Sequence, residues 1–78
     1  MMADAVRVVY PHTVITDYIN QVQYAHMRRY AGTITWEQET KEIKDARKYA
    51  LADWRFYGFG TKADFQAAYE TERGTNEI

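Results

Sequence analysis

Trp36, Ile43, Ala50 and Tyr57 recur every seven residues, with Ala46 and Trp54 beside them. That spacing gathers side chains on one face of an α-helix, and a strand, whose side chains alternate every second residue, cannot bring them together. A helix over 35–57 is therefore expected, about 34 Å long at 1.5 Å per residue. Thr35 stands where an N-cap belongs and Gln38 follows at capping-box spacing, with Ile34 in front to staple onto the turn of Glu39. A second stripe of Tyr49 and Phe56, with Ala52 nearby, falls about 120° around the helix and predicts neighbours on two sides.

The flanking sequence supplies two more helices. Over 13–31, Ile15, Ile19, Val22 and His26 share a face, flanked by Tyr18, Ala25 and Tyr30, with Thr13 as the expected N-cap and Gly32 as the stop. Over 62–73, Phe65, Ala68 and Tyr69 make the apolar face, Thr61 and Asp64 form a capping-box pair, and Gly74 is the expected end. Residues 5–10, AVRVVY, are β-branched and aromatic and run into Pro11, so they read as an extended arm. Short connections at 31–34 and 58–60 make successive helices antiparallel neighbours. The expectation is one all-α domain over 1–78, three helices with an N-terminal arm, frayed at 1–4 and 75–78.

At 78 residues a single core is marginal, and the chain has no cysteine with which to build a disulfide or a thiolate zinc site. It has instead 15% aromatic residues, seven of them Tyr, a residue suited to half-buried and interfacial positions. Tyr10, Tyr24, Met27, Tyr49, Phe56 and Phe59 remain after the three helix faces are assigned, which points to a protein partner or a homo-oligomer, most simply a dimer. A net charge of −1 offers no global attraction to nucleic acid or to an anionic membrane. Neither a secretory leader nor an apolar run of membrane-spanning length is read in the sequence, so a cytoplasmic protein is expected.

Catalytic chemistry finds few candidates. The chain lacks Ser as well as Cys, which removes the commonest nucleophiles. His12 reads as a solvated loop residue and His26 as a core-edge histidine bonded to a Tyr or Asp; no two-histidine spacing suggests a metal ligand pair, and no cofactor motif is present. Gly58-Phe59-Gly60 reads as a helix stop, a turn around an exposed Phe and a restart rather than an anion cradle. Glu39 with Glu42, and Glu70 with Glu72, read as solvated carboxylates.

Function is thus expected to rest on contact rather than catalysis. The first reading is a non-catalytic interaction module that occludes or bridges a protein partner through Tyr24, Met27, Arg28, Tyr49, Phe56 and Phe59. The alternative is a nucleic-acid or nucleotide binder using Lys41, Lys44, Lys48 and Arg55, which fall on one flank of the second helix opposite Glu42, Asp45 and Asp53. A small structural component of a larger viral assembly is a third possibility. No motif points to a particular family; the make-up is similar to that of small cysteine-free helical accessory proteins of phages, which are host-directed inhibitors or particle components.

Overall fold

The computed structural model describes residues 9–76, which form three helices, α1 (Pro11–Tyr30), α2 (Trp36–Phe56) and α3 (Lys62–Asn76), with no strand among the described residues. The expected all-α three-helix architecture is thus the one observed. Of the arm expected at 5–10, residues 5–8 lie outside the described residues; Val9 packs against the core and Tyr10 is extended, at φ −100° and ψ 153°.

Helix α1 begins two residues before the expected Thr13 cap. Tyr10 is the N-cap and contributes no side-chain hydrogen bond, while Pro11 occupies the first turn. Proline has no N–H to leave unsatisfied there and its φ is already helical, so it starts a helix as effectively as a capping hydroxyl. His12 accordingly belongs to the helix rather than to a loop, exposed and stacked on Tyr10. At the other end the N–H groups of Gly32 and Thr33 donate to the carbonyls of Arg29 and Arg28 at 3.0 and 2.9 Å, the paired closure of a Schellman motif.

Helix α2 opens on the expected capping box: the Gln38 N–H donates to Thr35 Oγ1 at 3.1 Å and the Thr35 N–H to Gln38 Oε1 at 2.8 Å. It closes with a second Schellman motif, in which Gly58 and Phe59 donate to Arg55 and Trp54 at 3.1 and 3.0 Å. Gly58 sits at φ 74°, a conformation strained for any residue with a Cβ. The turn folds Phe59 back onto Trp54, ring centroids 5.4 Å apart, so Phe59 is half-buried against the core and not exposed as expected. Helix α3 then starts on the Thr61–Asp64 box, with bonds of 2.8 and 3.2 Å. It runs through Gly74, which keeps a negative φ, to Asn76, past the expected end at 73.

The core is built from Val14, Ile15, Tyr18 and Ile19 of α1, Ala46, Ala50 and Trp54 of α2, and Phe65 of α3. Phe65 is 0% exposed. Its ring lies 5.7 Å from that of Tyr18 and 5.8 Å from that of Trp54, and Tyr69 closes on Tyr18 at 5.2 Å. These offset and edge-on geometries add to what burial alone contributes. Arg28 meets Glu42 and His26 meets Glu39 while Thr13 and Tyr57 line one depression, so α1 and α2 run antiparallel; α3 leans on α1 more than on α2.

Two expectations about faces fail. The seven-residue stripe of α2 is buried only in its middle: Trp36 and Tyr57 at its ends are 66% and 47% exposed, and Ile43 is half-buried. The helix outreaches the layer packed against it, and Trp36 lies instead beneath the Arg29 guanidinium, 4.9 Å from the ring centroid. The second stripe has no helix packed over it among the described residues, and Tyr49, Ala52 and Phe56 are all exposed. Three helices suffice to cover one side of the α1–α2 pair, and α3 takes that side. In α1 the buried face shifts toward the N-terminus, taking in Val14 and leaving His26 and Tyr30 exposed.

Candidate protein-interaction face

The side of the α1–α2 pair not taken by α3 is a furrow. Two depressions of about 250 and 290 Å³ share Gln21 and Tyr49, and none of their lining residues comes from α3. The apolar lining of the furrow is Val9, Val14, Tyr18, Ala46 and Ala50. Tyr24, Tyr49 and Tyr57 stand along the walls, and Phe56 is exposed beyond them. The spacing explains the alignment: residues 17, 21, 24 and 28 follow one side of α1, and 42, 45, 49, 53 and 56 one side of α2, each at three- or four-residue steps.

The same rows carry charge. Asp17 and Asp53 line one depression and Glu42 and Asp45 the other. Arg28 is tied to Glu42, Nη1 to Oε1 at 2.7 Å, and its guanidinium lies 5.3 Å from the Tyr24 ring centroid. Asp17, Asp45 and Asp53 enter no ion pair among the described residues.

Of the residues the sequence assigned to partner contact, the structure brings Tyr24, Arg28, Tyr49 and Phe56 to this one side. Met27 is exposed on the outward side of α1, and Phe59 belongs to the core margin. Tyr57, expected to be buried, joins the furrow. Its position at the last turn of α2, beyond the end of the packed layer, is the signal that separates it from Ala50 and Trp54.

A second polar cluster lies between α1 and α2. Glu39, expected to be solvated, is buried at 3% exposure. His26 Nδ1 meets its Oε2 at 2.5 Å and Arg29 Nε its Oε1 at 2.7 Å. The hydrogen bond from His26, then the Arg29 charge, hold this carboxyl below the usual carboxylate range against the opposing effect of burial. His26 thus bonds a carboxylate, but Glu39 rather than the expected Tyr or Asp. These contacts join the end of α1 to the start of α2. A depression of about 440 Å³ nearby lies between Tyr18, Val22, His26, Ile43 and Tyr69.

Lys41, Lys44, Lys48 and Arg55 all lie exposed on the outward face of α2 and form no ion pair among the described residues. Among the described residues there is no group of three or more His, Asp or Glu that could hold a metal ion, and no helix long and apolar enough to cross a membrane. No family model, curated protein or solved structure matches the chain.

Proposed function

We propose that this chain is a non-catalytic protein-interaction module that docks a partner along the α1–α2 furrow, occluding or bridging it. The observation that supports this reading is the exposure of Tyr24, Tyr49 and Phe56, at 61%, 69% and 81%, on the side of the bundle that α3 leaves open. Solvated rings over an apolar floor are the composition of an interface centre, where Tyr and Arg anchors contribute most of the binding energy. Replacing Tyr49 by a photo-crosslinking phenylalanine analogue in the producing cell tests it. The expected result is a discrete protein adduct that disappears with Tyr24→Ala and is absent when the probe replaces Lys41 on the outward face. Equal labelling from both positions, or none from position 49, refutes the reading.

A second reading, nucleic-acid binding, is supported by the four unpaired cations on the outward face of α2. It requires affinity that falls steeply with salt and a loss of binding in Lys44→Glu/Lys48→Glu with helicity intact. Salt-insensitive binding, or none, removes it.

A further inference from the structure

We infer that the occupant of the furrow is a cationic amphipathic helix of a partner protein; this rests on the reading of the furrow as the docking face and names the chemistry of what docks there. Shape is the first argument. The groove between two antiparallel helices is where a further helix packs in a bundle. On the opposite side α3 does this with Phe65 and Tyr69. The open groove runs from Glu42 to Tyr57, a rise of about 22 Å, which a helix of about 15 residues covers. Its apolar lining includes Ala46 and Ala50, whose small side chains let the apolar ridge of a helix approach closely.

Charge decides which helix. Four carboxylates, Asp17, Glu42, Asp45 and Asp53, face the groove against one guanidinium, and that guanidinium is already spent on Glu42 and the Tyr24 ring. The chain as a whole carries only −1, so the furrow is more acidic than the rest of the surface. Arginine suits this surface best, because one planar group can pair with a carboxylate and stack on a tyrosine. An anionic or neutral helix would leave Asp17, Asp45 and Asp53 facing its desolvating surface without compensation.

The same charges disfavour a second copy of this chain. Furrow against furrow places acid on acid. The outward face of α2 has the right sign, but its Lys41, Lys44, Lys48 and Arg55 are accompanied there by Glu37, Thr40 and Ala52, which supply no apolar ridge for the floor.

Three fluorescein-labelled peptides of about 18 residues make the test, long enough to cover the groove. The first is helical with Leu on one face and Arg on its flanks, the second has Glu for every Arg, and the third has the composition of the first scrambled so that no apolar face forms. Fluorescence anisotropy against the intact chain is expected to show the first binding at least tenfold more tightly than either control. Asp17→Asn/Asp45→Asn/Asp53→Asn, which changes only exposed side chains, is expected to weaken it by about tenfold, a few exposed ion pairs' worth, with helicity unchanged by circular dichroism.

No binding of the first peptide, equal binding of the Glu or scrambled peptide, or indifference to the triple substitution overturns the inference. So does sedimentation showing a dimer that Tyr49→Ala dissolves, since the furrow is then filled by a second copy. Crosslinking from position 49 that persists while the Arg helix fails to bind leaves the docking face standing and its cationic occupant refuted. Loss of both refutes the face itself.

Discussion

Phe65 and Phe56 are the same side chain in opposite surroundings, and truncating each to alanine measures how much of this fold depends on one ring. Phe65 is 0% exposed, between the rings of Tyr18 and Trp54 at 5.7 and 5.8 Å; Phe56 is 81% exposed. Removing a buried phenylalanine costs about 3–5 kcal/mol, the lost transfer energy plus the cavity left behind. A chain of 78 residues has about 4–12 kcal/mol in total at the usual stability per residue. Phe65→Ala therefore removes between a quarter and all of it, whereas Phe56→Ala stays within about 0.5 kcal/mol. Because α3 reaches the rest mainly through Phe65 and Tyr69, its undocking is the expected route of failure. Urea titrations followed by far-ultraviolet circular dichroism and by the fluorescence of Trp36 and Trp54 read both variants, and Phe65→Leu keeps a measurable transition if Phe65→Ala has none. A Phe56→Ala cost matching that of Phe65→Ala, or a Phe65→Ala cost below about 1 kcal/mol, refutes the packing described.

Three further outcomes are expected. The Glu39 carboxyl is held low in the folded state by His26 and Arg29, so the unfolded chain binds its proton first; the stability this contributes is present above the unfolded carboxylate value and is lost as pH falls through the folded one. Glu39→Gln should thus differ from wild type most at pH 6 and progressively less below about pH 4 in urea titrations, and a gap that widens on acidification contradicts the sign. Gly60 sits at φ 142° and an added Cβ would run into the Asp64 carboxylate that caps α3, so Gly60→Ala should cost more than about 1 kcal/mol; a stabilised variant in thermal melts excludes that conformation. Trp54 buries its Nε1 with no hydrogen-bond partner among the described residues, so Trp54→Phe should cost less than about 1.5 kcal/mol because it removes an unsatisfied donor along with ring volume. A cost approaching that of Trp54→Ala would instead mean that the indole N–H has a partner.

How much was legible in advance follows from the range of the forces involved. The two capping boxes, at Thr35 and Thr61, and the Gly32 and Gly58 stops are decided within four or five residues, and each forms the bonds its residues imply. Local rules also misplace ends where they compete, as at Pro11, which starts α1 ahead of Thr13, and at Gly74, which α3 passes through because a glycine can remain in a helix at modest cost. By sequence Glu39 reads as solvated because a carboxylate on a charged helix is usually so, and only the approach of His26 and Arg29 from α1 makes its burial tolerable.

The amino-acid order by itself determined the helices and the leading residues of the core, since Ile15, Ile19, Ala50, Trp54 and Phe65 fall at helical spacing whatever they pack against. It also left more aromatic surface than three short helices can hide. Which rings remain outside was decided only in three dimensions. Helical periodicity marks a face as apolar but carries no information on whether a third helix lies over it. Phe65 drew α3 to one side of the α1–α2 pair, and that single placement left Tyr24, Tyr49 and Asp45 lining an open furrow while it buried Tyr18.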